Sequence, residues 1–159
     1  MSQKMLLALI PLLALSFGCG KSSTYETKDG QVKIEEKSGQ ATYEVTTREG
    51  KLKMATGDKS VPLPDNFPKD VPLYTGAVVK MAASHGGQLV VHLQAAASCA
   101  DVAKFYQDQL KGQGWEVDTT MNMGDTGMVM AKKSGRQCAA VIAKQDDGAL
   151  VQLSVSAAP

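Results

Sequence analysis

Residues 98–115, Ser-Cys-Ala-Asp-Val-Ala-Lys-Phe-Tyr-Gln-Asp-Gln-Leu-Lys-Gly-Gln-Gly-Trp, decide the fold because they carry the one clear helical pattern beyond the N-terminal region. Ser98 is a typical N-cap residue, and Asp101 stands three residues later, where a capping box carries its acid. Gly112 ends the pattern. The sequence therefore predicts a helix over residues 99–111. The apolar stripe of this helix consists of Cys99, Val102, Phe105, Tyr106 and Leu110.

Alternation of apolar and polar residues, the pattern of strands with one buried face, flanks the predicted helix on both sides. Strands at 77–83 and 88–94 precede the helix and are joined by the turn Ser84-His85-Gly86-Gly87. Residues 115–123 show the clearest alternation after it, and a turn at 124–127 leads into a further strand at 128–133. The chain ends in a hairpin over 137–156 with a four-residue loop. This loop predicts three facing pairs, namely Ile142 with Val151, Ala140 with Leu153, and Cys138 with Val155.

These elements predict an α+β fold: a small domain of order β-β-α-β-β-β at residues 77–159, in which one helix lies across an antiparallel sheet. A doubly wound parallel sheet is disfavoured because strands and helices do not alternate. Residues 25–57 predict a short three-stranded β-meander ahead of this domain. Its apolar face is thin, so we expect it to pack on the next domain or to stack with other copies.

A proline-rich connector, residues 58–76, joins the meander to the α+β domain. Its prolines keep the backbone extended and exclude a helix. Its apolar residues are too many for a spacer, so we expect the connector to cover part of the core. A stiff linker is the alternative. The prolines are Pro62, Pro64, Pro68 and Pro72, and the apolar residues are Leu63, Phe67, Val71, Leu73 and Tyr74.

Residues 1–18 have the anatomy of an export signal, in which Lys4 supplies a positive charge ahead of an apolar run over 5–17. That run is shorter than the ~20 apolar residues that a transmembrane helix needs. It ends in Leu15-Ser16-Phe17-Gly18-Cys19, which resembles the lipobox of bacterial lipoproteins, where a small residue precedes the cysteine that is acylated. An ordinary secretory signal peptide is the alternative.

The lipobox resemblance implies that the mature chain begins at Cys19 and is held to a membrane by the acyl chains on that residue. Gly20 stands where lipoproteins of the inner membrane have Asp, so the resemblance favours the outer membrane, facing the periplasm. Residues 19–24 would then be a short polar leash between the lipid and the first strand.

Three cysteines leave an odd one in an exported chain, and acylation of Cys19 removes the oddity. Cys99 and Cys138 remain, and an oxidising compartment allows them to form a disulfide. Such a bridge would close a loop of about 40 residues, worth roughly 4 kcal/mol in the chain-entropy account. Two buried free thiols are the alternative, since a bridge requires close cysteines.

Two further stretches resemble a group of uncharacterised bacterial envelope lipoproteins. The first is Phe67-Pro68-Lys69-Asp70-Val71-Pro72-Leu73-Tyr74-Thr75-Gly76-Ala77, and the second combines Phe105-Tyr106 with Gly114-Trp115. In that group a proline-rich segment precedes a small α+β domain, whose helix carries Phe-Tyr and ends at Gly-Trp. The resemblance implies that Phe105 and Trp115 anchor the helix to the sheet. It implies no activity, ligand or catalytic residue.

Composition and residue placement argue against several classes of function. Seventeen Lys and Arg nearly balance sixteen Asp and Glu, so no charge field points to nucleic acid. The sequence places neither His85, in a turn, nor His92, on the polar side of its strand, beside a nucleophile and an acid. We therefore expect no enzymatic activity, no cofactor and no nucleic-acid partner.

Methionine is the one residue type with chemical promise. Four methionines flank a loop at 124–127: Met121, Met123, Met128 and Met130. In a hairpin this loop sets Met121 opposite Met130 and Met123 opposite Met128, on the face that carries Trp115. Thioethers are soft ligands that select Cu(I), so a copper site is one hypothesis. Core packing against the helix is the favoured alternative, and a surface for a partner is a third.

The sequence thus predicts a membrane-anchored envelope lipoprotein with a non-enzymatic binding or structural role. Its expected partners are the membrane, through lipid on Cys19, and another envelope protein. A periplasmic copper-binding protein that uses the methionine cluster is the alternative function.

Overall fold

The computed structural model describes residues 21–27, 30–47, 50–146 and 148–157. The expected signal peptide, residues 1–18, and the expected acylation site, Cys19, lie outside these ranges. The elements in chain order are β1 Lys21–Thr27, β2 Gly30–Lys37, β3 Gln40–Thr47, β4 Gly50–Gly57, β5 Val78–His85, β6 Gln88–Ala95, α1 Cys99–Gly112, β7 Glu116–Asn122, β8 Thr126–Lys133, β9 Arg136–Gln145 and β10 Gly148–Ala157.

All ten strands belong to one antiparallel sheet of order β1-β2-β3-β4-β5-β6-β10-β9-β8-β7. The predicted α+β fold of a small β-β-α-β-β-β domain behind a separate meander is therefore wrong. The two parts are continuous because β4 pairs with β5, from Leu52 opposite His85 to Thr56 opposite Met81. Four strands follow α1, one more than the order β-β-α-β-β-β contains, and the strand predicted at 128–133 is one of them, β8.

The N-terminal part also holds a strand that the sequence analysis missed. β1 pairs with β2 along its whole length, from Lys21 opposite Glu36 to Thr27 opposite Gly30. The stretch expected to be a leash, 19–24, is therefore mostly strand. The residues of β1 are polar except for Tyr25, so no alternation of apolar and polar residues marks this strand in the sequence.

The local predictions around α1 are confirmed. The Ser98 hydroxyl oxygen accepts a hydrogen bond from the Asp101 backbone N–H at 3.1 Å and donates one to the Asp101 carboxylate at 2.7 Å. Ser98 is thus the N-cap, and α1 begins at the predicted residue. The register of the last hairpin is also confirmed: Ile142 faces Val151, Ala140 faces Leu153 and Cys138 faces Val155.

The core lies on one side of the sheet, which we call the inner face. α1 packs on the inner face of β7 to β10 and buries its apolar stripe there. The opposite side of the sheet is the outer face. The largest fully buried side chains between α1 and the sheet are Tyr106, Leu93, Leu110, Ile142 and Leu153.

The proline-rich connector covers the inner face at β4 and β5, beyond α1. The Val61 N–H donates to the Val79 carbonyl oxygen at 2.9 Å, and Val61 and Val71 are each 3% exposed. Pro62, Leu63 and Pro64 line a groove with Ala55 of β4 and Ala82 of β5. The prediction that the connector covers part of the core is confirmed, and the stiff-linker alternative is wrong.

Asp70 holds this connector to the end of α1 and to the β8–β9 hairpin. Its carboxylate accepts two hydrogen bonds from the Arg136 guanidinium, at 3.1 and 2.7 Å, and lies 2.8 Å from Lys133 Nζ. Its backbone oxygen accepts from Trp115 Nε1 at 2.8 Å, and the guanidinium of Arg136 lies over the Trp115 ring. Hydrogen bonds from Arg136 and Lys133 hold the pKa of the Asp70 carboxyl well below its usual range.

The two stretches that carry the envelope-lipoprotein resemblance contact each other through this arrangement. Besides the link between Asp70 and Trp115, the rings of Tyr74 and Phe105 meet edge to face at 4.9 Å. The resemblance implied that Phe105 and Trp115 anchor the helix to the sheet. In the structure, both side chains join the connector to the helix and its C-terminal turn.

We predict that Asp70→Asn lowers the free energy of unfolding by about 1–2 kcal/mol at pH 7, because it removes a paired and largely covered carboxylate. Asp70 has a lowered pKa in the folded state, so its contribution is complete above the unfolded-state pKa of about 4 and is lost as the pH falls below that value. Urea unfolding of both proteins at pH 7 and pH 3 measures this.

The matched control is Asp125→Asn, which removes an exposed carboxylate 3.3 Å from Lys144 and should change stability little. Equal losses in the two variants, or a loss in Asp70→Asn that does not shrink at pH 3, would show that Asp70 does not hold the connector.

Candidate binding surface

The outer face of β1 to β4 carries an apolar surface that none of the described elements covers. Cross-strand pairing aligns its members in two rows, one from Tyr25 through Val32 and Val45 to Leu52, and one from Ile34 through Tyr43 to Met54. We call these residues the N-terminal patch: Tyr25, Val32, Ile34, Tyr43, Val45, Leu52 and Met54.

The opposite side of the same four strands is charged. Alternation along each strand places seven charged residues of β1 to β4 on the inner side and only Lys21 and Glu36 on the outer side, both at the end of the sheet where β1 begins. Within the inner set, Lys33 and Glu35 form an ion pair at 2.6 Å. The inner set is Glu26, Lys33, Glu35, Lys37, Glu44, Lys51 and Lys53.

The N-terminal patch stays open in the described structure. Tyr25 is 57% exposed, and the other six members are half-buried. Among the described residues, α1 packs mainly on β7 to β10, and the connector lies on the inner face. On the outer face, Met54 adjoins Ala83 of β5 and Val90 of β6, after which His92 and Gln152 make the surface polar.

Open apolar surfaces on single chains mark contact sites more often than scattered apolar residues do. The sequence analysis identified the alternation in these strands but not the side to which it points. Alternation alone gives two faces, and only the pairing of β4 with β5 shows that the apolar one faces away from α1.

The four methionines take a different arrangement from the predicted one. Met121 lies opposite Met128, and Met130 lies opposite Thr119. Met123 falls after β7 and is 70% exposed. The predicted pairing of Met121 with Met130 and of Met123 with Met128 is therefore wrong.

A β-bulge explains the difference. The register of β7 against β8 shifts between Val117 and Thr119, so Asp118 is an extra residue that reverses the alternation. Val117 still lies opposite Ala131 on the inner face, whereas Met121 and Met128 come to the outer face. Core packing under the helix is thus not their role. Copper binding by this cluster stays a prediction from the sequence.

A groove lies where the sheet begins, beside Lys21. Its volume is about 820 Å³, and its rim carries three lysines and two carboxylates. One of these lysines, Lys80, donates to the Asp58 backbone oxygen at 2.8 Å. We call this groove the anchor-end groove, because its lining residue Lys21 follows Cys19 by two residues. Its lining residues are Lys21, Glu36, Lys37, Ser38, Gly39, Gln40, Ala41, Thr56, Gly57, Asp58 and Lys80.

Chemical groupings elsewhere are sparse. Within the described ranges, no three or more His, Cys, Asp or Glu side chains come together as a metal site would require. His85 is exposed at the end of β5, and His92 is half-buried on the outer face, opposite to Leu89 and Leu93 as predicted. The described helix is too short and too polar to cross a bilayer.

The cysteines of the core are free and far apart. Cys99 Sγ lies 3.4 Å from the Asp125 carbonyl oxygen, which also accepts from the Lys144 N–H. Cys138 lies six residues before Lys144 on β9, about 20 Å along the strand. Both thiols are buried, and burial raises the pKa of Cys138 to about 12. They form no bridge in this structure, although both point into the interior as expected.

We predict that a reductant leaves the free energy of unfolding of this protein unchanged, because no disulfide restrains the unfolded chain. Urea unfolding with and without dithiothreitol measures this, and the double variant Cys99→Ser, Cys138→Ser serves as the control that cannot respond. A loss of roughly 4 kcal/mol on reduction would instead reveal the bridge.

Comparison with protein families gives one match. A family model described as START domain-like matches residues 77–148, which span β5 to β9 and α1 and amount to less than half of the chain. No curated protein and no solved structure matches the chain. Residues 77–148 are thus similar to START domain-like sequences, and the N-terminal patch lies outside the matched part.

Proposed function

We propose that this protein is an envelope lipoprotein, anchored to a membrane by lipid on Cys19, with a non-enzymatic role in which the N-terminal patch binds another component of the envelope. The observation that carries this proposal is the open apolar patch on strands that begin two residues after Cys19. A lipid anchor and a contact surface at the same end of the molecule suit a module that works at a membrane.

The charge distribution supports a binding role. The seven charged residues on the inner side of β1 to β4 keep that side in water, since removing an ion from water costs several kcal/mol. The outer side carries no charge within the N-terminal patch, so it loses little hydration free energy when a partner covers it. The strands therefore present one binding side and one solvated side.

The non-enzymatic part of the proposal is supported by the position of the titratable groups. Asp70, the described carboxylate with the most strongly shifted pKa, is occupied by Arg136 and Lys133 in a structural role. Cys138 is buried with a raised pKa, which disfavours the thiolate that nucleophilic chemistry needs.

We predict that cells fed a fatty acid analogue label the wild-type chain and not a Cys19→Ser variant, because the acyl group requires that sulfur. In-gel detection of the label after purification, with mass spectrometry of the N-terminal peptide, is the measurement. Equal labelling of both chains, or a wild-type peptide with an unmodified Cys19, would contradict the proposed anchor.

We also predict that a photo-reactive amino acid at Val45 gives a cross-linked adduct to an envelope component in intact cells, because Val45 lies inside the N-terminal patch. The same amino acid at Glu44, the adjacent residue on the inner side, is the matched control and should give little adduct. Similar yields at both positions would show that the patch is not the binding side.

A further inference from the structure

We infer that the envelope component on the N-terminal patch is the lipid bilayer itself, so that β1 to β4 lie on the membrane beside the acylated cysteine. This inference rests on the proposed function, because it requires lipid on Cys19. It goes further by naming what the patch contacts and how the sheet is oriented.

The connection between the lipid on Cys19 and the first strand is short. Only Gly20 separates Cys19 from Lys21, the first residue of β1. Two residues span at most about 7 Å, so the start of β1 must lie at the membrane surface. Tyr25 is four residues further along the same strand, about 13 Å away. The anchor and the patch are therefore close enough to reach one bilayer together.

The difference in charge between the two sides of β1 to β4 then decides which side faces the lipid. Turning the inner side to the bilayer would take Lys33, Glu35, Lys53 and further charged groups out of water, which is unfavourable for each of these ions. Turning the outer side down buries the uncharged residues of the patch, and the two charged residues of β1 to β4 on that side, Lys21 and Glu36, lie at its edge where β1 begins. The sheet can lie on the membrane in one orientation only.

The backbone adds no penalty to this orientation. Every strand of the patch except β1 is paired on both sides, so the main chain of β2 to β4 brings no open sheet edge to the apolar region. β1 is the edge strand, and its polar sequence, Lys-Ser-Ser-Thr-Tyr-Glu-Thr, suits the headgroup level.

Interface-type residues surround the apolar centre of the patch. Tyr25 and Tyr43 have the apolar ring and polar tip that are enriched at membrane surfaces. Lys21 and Lys80 line the anchor-end groove beside the carboxylates of Glu36 and Asp58, and at this rim the two lysines can contact anionic headgroups. These cations lie at the end of the sheet where the acyl chains would enter the bilayer.

A second copy of the chain is the weaker occupant. Four strands spaced by about 4.8 Å with two side-chain rows about 7 Å apart give the patch a footprint of about 15–20 Å by 10–15 Å. A stable interface buries roughly 800 Å² on each partner, well above this footprint. A bilayer sets no such minimum when the acyl anchor already holds the protein there.

The test places a fluorescent tryptophan on each side of the sheet. Tyr43→Trp reports on the patch, and Lys33→Trp, on the inner side of the adjacent strand β2, is the matched control. The full lipidated chains are reconstituted into vesicles of phosphatidylethanolamine and phosphatidylglycerol whose acyl chains carry bromine, a short-range quencher. Wild-type protein supplies the background of Trp115, which is 3% exposed in the core.

We expect bromine to reduce the added emission of Tyr43→Trp about twofold, since an interfacial element enters the acyl boundary by about 5–10 Å, and to leave that of Lys33→Trp nearly unchanged. Equal quenching of the two variants would overturn the inference. So would a blue-shifted Tyr43→Trp emission that bromine does not quench, because it would indicate contact with protein. Vesicle flotation distinguishes the lipid anchor from the contact between the patch and the bilayer. A wild-type chain that does not float refutes the anchor, whereas floating chains without quenching refute only the bilayer contact.

Discussion

One helix covers one face of a sheet that is much wider than the helix. The 14 residues of α1 make it about 21 Å long, whereas ten strands at about 4.8 Å spacing extend over more than 40 Å. α1 therefore packs mainly on β7 to β10, and the connector covers the inner face at β4 and β5. No described element covers the outer face of β1 to β4. The open N-terminal patch is a direct result of this shortage of covering structure.

The connector can act as a second cover only because it is tied down at both ends. The Val61 N–H is hydrogen-bonded to the Val79 carbonyl oxygen of β5. Asp70 is hydrogen-bonded to Trp115, in the turn after α1, and to Arg136 of the β8–β9 hairpin. The ring contact between Tyr74 and Phe105 extends the attachment along the helix. The residues that carry the envelope-lipoprotein resemblance are thus residues that hold the cover in place, which explains their pattern without a ligand or a reaction.

Local patterns predicted the local structure well, and long-range pairing escaped them. The N-cap at Ser98 and the facing of Ile142 with Val151 follow from neighbours in sequence, and both are confirmed. The pairing of β4 with β5 crosses a connector of twenty residues, and nothing in either strand announces it, so one sheet was predicted as two units. The bulge at Asp118 moved Met121 to the other face because one extra residue reverses a two-residue period. The candidate site was half predictable: alternation in the sequence indicates one apolar face in each strand of the meander, but the direction of that face depends on the pairing of β4 with β5.

The central claim is that the apolar side of β1 to β4 faces lipid while its charged side faces water. Spin labels on Ile34→Cys and Glu35→Cys test it most directly, because these adjacent residues of β2 point to opposite sides and Cys99 and Cys138 are buried. In reconstituted membranes, relaxation by oxygen reports on the bilayer, and relaxation by a water-soluble nickel chelate reports on the aqueous phase. The account predicts that the label at position 34 responds mainly to oxygen and the label at position 35 mainly to nickel. A stronger response to nickel at both positions would contradict it.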